Sequence, residues 1–148
     1  MLPFLVNMAR LFESFVARWL AANLPSDYFI AAKVRHRIGA AGALEMEFDL
    51  VLHESASGRP VCVLDTKYKP HQSISNPDYY QAIAYADAKG CGTAFLIYPS
   101  PRTLNFDEKA GNIRVCSVVF DLGADLEFAG TIALERILSS AGEDALFG

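Results

Sequence analysis

The sequence predicts an α/β domain: a central mixed β-sheet flanked by helices. Three observations carry that expectation. Leu44 to His53 alternates, with Met46, Phe48, Leu50 and Leu52 on one face and Glu45, Glu47, Asp49, Val51 and His53 on the other, the period of a half-buried strand. A helical segment from Ser75 to about Lys89 lies between two strand-like segments, Val61 to Lys69 and Thr93 to Tyr98, the order a parallel crossover requires. Helical patterns stand at both ends of the chain.

Taken in order, Pro3 to Leu24 reads as the first helix. Phe4, Met8, Phe12, Phe15, Trp19 and Leu20 recur at helical spacing, Pro3 suits a first turn, and Pro25 stops the run. Tyr28 to Ile38 reads as a strand with a basic end, and Gly39 to Gly42 as a turn. The alternating strand follows, then a hairpin connection from Ser55 to Pro60 and the strand from Val61 to Lys69. Ser75-Asn76-Pro77-Asp78 carries a capping side chain, a first-turn proline and an early acid, so it starts a helix; Gly90 and Gly92 end it. Thr93 to Tyr98 is a short apolar strand closed by Pro99, and Asn112 to Phe120 is another strand. A last helix runs from about Ala129 to Ser140, with Ile132, Ala133, Ile137 and Leu138 as its apolar stripe.

The 148 residues suit one domain, residues 1–148, with 52% hydrophobic and 20% charged residues and a mean hydropathy of +0.20. That composition excludes a disordered or fibrous chain. No uncharged run approaches the ~18 residues of a membrane span; the longest, Gly90 to Pro101, contains prolines. No basic stretch precedes the apolar N-terminal residues, so no secretory signal is expected. Cys62, Cys91 and Cys116 are odd in number and form no CxxC pair, which points to a reducing, cytoplasmic setting rather than disulfides or structural zinc. The net charge of −4 is not that of an obvious nucleic-acid binder. The charge is uneven, however: residues 1–75 hold eight Lys/Arg and seven Asp/Glu, against five and ten in residues 76–148. A local basic face in the first half stays open.

The candidate chemistry sits on two neighbouring strands. The period of two puts Asp65, Lys67 and Lys69 on one face, and Asp49 shares its face with Glu45 and Glu47. If the strands pair as a hairpin, Asp49 and Asp65 converge beside Lys67. Carboxylates held together repel unless one protonates or a cation joins them. Oxygen ligands suit a hard ion such as Mg²⁺, and a lysine two residues from such a ligand can orient a water or stabilise charge on a phosphate. A solvated strand face with surface ion pairs accounts for the same alternation. Gln81 and Tyr85, four apart on the next helix, share a face; alone they read first as the polar tip of a partly buried helix face, and otherwise as a phosphate, water or nucleic-acid backbone contact. Glu13 borders the apolar stripe of the first helix, where it either joins a metal site or pairs with Arg10. Lys33, Arg35 and Arg37 share a strand face that reads as a phosphate-tracking stripe or as a charged edge resisting aggregation. Lys69 and His71 stand just beyond Lys67 as further DNA-contact candidates or ordinary loop charges. His36, His53 and His71 lack zinc spacing, and Cys62 has no neighbour that would make it a nucleophile.

Asp49, then Asp65-Thr66-Lys67, then Gln81-x-x-x-Tyr85, with Glu13 in the first helix, resembles the PD-(D/E)xK nuclease superfamily. The flanking text is similar to the McrC-type nuclease domain, the cleavage subunit of restriction systems directed at 5-methylcytosine. The matching stretches are Asn7 to Val16, Phe48 to Leu52, Leu64 to Lys69, Asp78 to Ala86 and Phe95 to Pro99, so the likeness spans roughly residues 3 to 120. The resemblance implies a restriction-endonuclease-like fold and a metal-dependent DNA endonuclease leaving 5′-phosphates. It implies Asp49 and Asp65 as ligands of Mg²⁺, for which Mn²⁺ substitutes, with Glu13 as an accessory acid on the metal or its water. Lys67 becomes the catalytic lysine, and Gln81 and Tyr85 support the site or touch DNA. The proline of the motif's name is absent, since Phe48 precedes Asp49. The implied partners are DNA and a GTP-dependent, ring-forming McrB-like motor, with no membrane. McrC-type proteins carry a further N-terminal region that docks onto that ring, whereas this sequence opens at the nuclease helix. Two other functions fit the same fold: a catalytically silent DNA-binding or assembly module, and an exonuclease or junction resolvase.

Overall fold

Asn7 caps the first helix, α1 (Met8–Asn23), its side-chain oxygen accepting from the Arg10 N–H at 3.2 Å. The computed structural model describes residues 7–68, 74–101 and 105–147, with side chains to 142. The expected first turn at Pro3 therefore lies outside the described residues, as do Lys69 and His71. Phe12, Val16, Trp19 and Leu20 form the buried face of α1, the stripe that the helical spacing selects.

Six strands follow: β1 (Tyr28–Ile38), β2 (Leu44–Glu54), β3 (Pro60–Thr66), β4 (Thr93–Tyr98), β5 (Asp107–Ala110) and β6 (Ile113–Val119). They form one sheet in the order β1-β2-β3-β4-β6-β5. β1, β2 and β3 pair antiparallel, β3-β4 and β4-β6 pair parallel, and β5-β6 closes the far edge antiparallel. The mixed sheet is thus the expected one. Helix α2 (Asn76–Lys89) makes the crossover between the parallel strands β3 and β4. Ser75 Oγ accepts from the Asp78 N–H at 3.3 Å at its start, and Gly90, at φ +68°, ends it in the left-handed conformation glycine adopts without strain. Helix α3 (Leu126–Phe147) is longer than the sequence predicts. Asp125 caps it, accepting from the Phe128 N–H at 3.0 Å.

Two apolar layers result. α1 and α3 cover one face, where Val16, Leu20, Leu50, Leu52, Leu64, Phe95, Ile97 and Phe120 interlock. α2 covers the other, over Phe48, Val51, Val63, Ala94, Leu96 and Val115. Trp19 stacks edge-on against Phe120 at 5.4 Å, and Gly130 of α3 lies directly against the Trp19 indole. Among the described residues, no helix is long and apolar enough to cross a membrane.

Two expectations need correction. Met46, Phe48, Leu50 and Leu52 do not share a face. Met46 and Phe48 belong to the α2 side, whereas Leu50 and Leu52 belong to the α1/α3 side. The β1-β2 hairpin rolls over between these pairs. Ala32 pairs with Leu50 and Val34 with Phe48, but the Lys33–Asp49 rung between them is missing, and Lys33 has φ +54°. Consecutive residues on each strand, Ala32-Lys33 and Asp49-Leu50, then line the same cleft. Beyond this roll the hairpin runs on without β3, which pairs only with Leu50 to His53. Second, β3 ends at Thr66 rather than Lys69, its ladder with β4 closing at the Thr66–Ile97 pair.

Candidate functional site

The site forms where β2 and β3 part. Their ladder ends at the Leu50–Leu64 rung, so Asp49 and Asp65 occupy the next rung, where backbone pairing has stopped. Asp49 takes over the role of the missing carbonyl: its Oδ2 accepts from the Thr66 N–H at 3.0 Å and from the Thr66 hydroxyl at 3.1 Å. On its other edge β3 stays anchored, with the Lys67 N–H donating to the Ile97 carbonyl at 2.8 Å. One strand end is thus held rigidly while its free edge presents side chains.

Asp65 points to the α2 side and is 8% exposed. Burial, then a hydrogen bond with Asp49 and that carboxylate's charge, push its carboxyl up to about 8 against the pull of Lys67. A divalent cation held by the two aspartates would relieve that cost, since it neutralises both at once. The donor set is oxygen only, and two carboxylates are what Mg²⁺ commonly takes from a protein, the remaining positions going to water and phosphate. The residues thus fit such an ion. Among the described residues, no three ligating side chains stand grouped around one point, so Glu13 is not gathered to the two aspartates as a third ligand.

Lys67 is enclosed. Its ammonium lies 2.7 Å from Asp65 Oδ2 and 3.5 Å from Asp78 Oδ1, and it donates to Gln81 Oε1 at 3.0 Å. Burial alone would lower its pKa, but Asp65 and Asp78 outweigh that and hold it above the ordinary lysine value. Gln81 in turn donates through Nε2 to the Tyr85 hydroxyl at 2.9 Å, so its amide is fixed with the oxygen toward Lys67. Burial, then the Asp65 charge, keep the Tyr85 hydroxyl protonated. The structure therefore brings Asp49, Asp65, Lys67, Gln81 and Tyr85 into one chain of contacts.

The other candidates stand apart from that chain. Glu13 is ion-paired with Lys33 rather than with Arg10. Both line a cleft of about 430 Å³ between α1 and the hairpin, together with Arg10, Arg18 and Asp49. Arg35 and Arg37 do share a strand face, but it is charge-compensated. Arg35 lies 3.6 Å from Glu47 and 3.7 Å from Glu45, and Arg37 lies 3.6 Å from Glu45. Glu45 and Glu47 thus serve the hairpin rather than the aspartate pair. His53 stacks on Phe29, and Cys62 is fully buried in the core.

Two contributors escape the sequence reading. Asp78 is 7% exposed and faces Lys67 from the first turn of α2, where the helix dipole favours its charge. Its spacing from Gln81 and Tyr85, three and seven residues, places all three on one helix face and is the signal that marks it. Thr66 secures Asp49 through a hydroxyl that nothing in the sequence distinguishes from an ordinary strand threonine.

The comparison with known families turns on this same stretch of chain. The model for the McrBC 5-methylcytosine restriction system component matches residues 1–99, which include α1, all of the contacts above and β4. The chain belongs to the McrBC component family. A solved chain from Thermococcus gammatolerans, in a refined half-complex from a tetradecameric assembly of McrB AAA+ hexamers with bound McrC, shares the fold of this McrBC-family domain. The TM-score is 0.71 at 19% identity, covering 90% of this chain and 34% of that one. The McrBC-family domain described here thus spans about a third of that chain's length. No curated protein matches the sequence.

Proposed function

We propose that this chain is the Mg²⁺-dependent DNA endonuclease domain of a McrBC-like modified-cytosine restriction system, hydrolysing phosphodiester bonds. The observation that carries the reading is the meeting of Asp49 and Asp65 at the rung where β2 and β3 part, with Lys67 2.7 Å from Asp65. Holding a second carboxylate against the buried Asp65 costs stability if it serves structure alone, whereas a metal-dependent hydrolase needs this juxtaposition.

Asp49 and Asp65 would hold the ion, which supplies charge neutralisation at the phosphate and a more acidic water. The protein's own residues do the rest. Thr66 fixes Asp49, so one ligand is oriented before any ion arrives. Asp65 and Asp78 keep Lys67 charged and Gln81 aims it at the pair, where it orients the attacking water or steadies the charge that builds on the phosphate. Tyr85 locks the Gln81 amide. Glu13 serves as an accessory acid on the α1 side. The solved assembly that shares this fold is described as McrB AAA+ hexamers with bound McrC, and a ring-forming, GTP-dependent motor of that kind is the proposed partner, with DNA as substrate.

The test begins with calorimetric Mn²⁺ titration of wild type beside the Asp49→Ala, Asp65→Ala double variant, followed by cleavage of methylated duplex with the ring partner present. Binding lost in the double variant, with cutting abolished by Lys67→Ala in a folded protein, is the expected result. No metal binding by wild type, even with DNA present, would replace this reading with a silent DNA-binding or assembly module. Cleavage restricted to DNA ends or branched junctions would replace it with an exonuclease or a resolvase.

A further inference from the structure

Two lysines flank the aspartate pair, and they differ in kind. Lys67 is enclosed on the α2 side by Asp65, Asp78 and Gln81. Lys33 stands on the α1 side, at the rung where the hairpin rolls over. Its side chain is 55% exposed, so burial does not hold it there. Its backbone is in the left-handed region at φ +54°, a conformation a lysine adopts at a cost. Glu13 of α1 takes its ammonium in a close ion pair, and Glu47 lies 3.7 Å away. Asp49 lines the same cleft, and its charge acts on the ammonium as well. Arg35 and Arg37, on the same face, pair among the described residues with the hairpin's own glutamates. Lys33 reaches beyond the hairpin, to α1.

A cleft lined by Glu13 and Asp49 attracts a cation, and in the metal-free protein the cation at Glu13 is Lys33. We propose that Lys33 is the internal counter-cation of the metal cleft: its ammonium neutralises Glu13 beside Asp49, and divalent cation binding at the aspartate pair displaces it. The consequence is regulatory. Glu13 is free to act as an accessory acid only when Lys33 leaves, and Lys33, once released at the cleft mouth, is placed to meet a phosphate. Metal affinity of the isolated domain is then set in part by a residue that is not a ligand. The inference rests on the metal-binding reading above and deepens it.

The experiment is a calorimetric Mn²⁺ titration of the whole chain in four forms: wild type, Lys33→Met, Lys33→Arg, and Asp49→Asn with Asp65→Asn. Removing a positive charge beside a divalent ion strengthens binding. We expect Lys33→Met to bind Mn²⁺ roughly tenfold more tightly than wild type, and Lys33→Arg, which keeps the charge, to stay near wild type. Ammonium-selective NMR of the wild type gives an independent readout: the Lys33 side-chain signals should shift on Mg²⁺ addition as the Glu13 contact breaks. Equal or weaker Mn²⁺ binding by Lys33→Met, while the double asparagine variant loses it, would overturn the Lys33 role and leave the metal site standing. Absence of binding in both wild type and Lys33→Met would overturn the metal site and this inference together. Binding by Lys33→Met alone would support both.

Discussion

Burial and the Asp49 carboxylate push Asp65 up to about 8, far above an unfolded aspartate. A raised carboxyl stabilises the fold fully only below the unfolded value near 3.9, and that contribution is lost as pH rises toward about 8. The metal-free chain is therefore expected to melt at a lower temperature near pH 8.5 than near pH 6. Asp65→Asn, neutral throughout, should flatten that slope and gain roughly 2 kcal/mol or more at the alkaline end. Thermal melts of both proteins without divalent ions check this; a slope unchanged in the variant would remove Asp65 as its source. A second expectation concerns Lys67, which Asp78 holds at 3.5 Å from the far side of Asp65. Asp78→Asn should leave the fold intact and lower single-turnover cleavage by about 10-fold to 100-fold, the scale of a misaimed catalytic group. Cleavage at the wild-type rate by a folded Asp78→Asn would show that Asp65 and Gln81 suffice. At this scale, Asp49, Asp65, Lys67, Gln81 and Tyr85 were legible as a set only through the family resemblance, because side-chain period alone fits an ordinary polar face equally well and the alternation of β2 breaks at Asp49. Thr66 was not, because its role depends on a backbone donor freed only where two strands part.

At the level of elements, helices α1 and α2 and strands β1 to β4 follow from capping residues, apolar spacing and Gly/Pro punctuation. β5 does not: Asp107-Glu108-Lys109-Ala110 is short and largely polar. It pairs antiparallel with β6, and Arg114 on β6 grips Asp107 through two contacts at 2.7 and 2.6 Å across the turn between them. The reversal of β2 was equally illegible. Strict alternation reads as one face, and the roll falls at the missing Lys33–Asp49 rung, just where β3 stops pairing with β2. The α1–α3 contact gives an element-scale expectation. A methyl group at Gly130 would collide with the rigid Trp19 indole, which is itself packed against Phe120. Gly130→Ala is a better helix former in isolation, yet it should destabilise the domain by about 1–3 kcal/mol through overpacking. Urea unfolding with an unchanged m-value would measure it. A stabilised variant would mean that α3 slides without cost.

Across the whole molecule, the acidic balance and the hairpin's internal pairing bear on DNA affinity together. Net charge is −4, and the basic face legible in the sequence proves, once folded, to be interleaved with Glu45 and Glu47 from the neighbouring strand. Sequence alone shows which residues share a strand face, but not which charges a partner strand sets opposite them. Cations already paired gain less from phosphates, and counterion release scales with the phosphates neutralised. The isolated chain should therefore bind duplex DNA no tighter than about micromolar at physiological salt, as the proposed delivery by a motor requires. Fluorescence anisotropy across a salt series measures this. Replacing Glu45 and Glu47 with glutamine unmasks Arg35 and Arg37. If the hairpin face meets DNA, the double variant should bind several-fold more tightly, with a salt dependence steeper by up to about two phosphate contacts. An unchanged slope would place the DNA path elsewhere, and nanomolar binding by the wild type alone would show that these ion pairs open without cost when a phosphate backbone approaches.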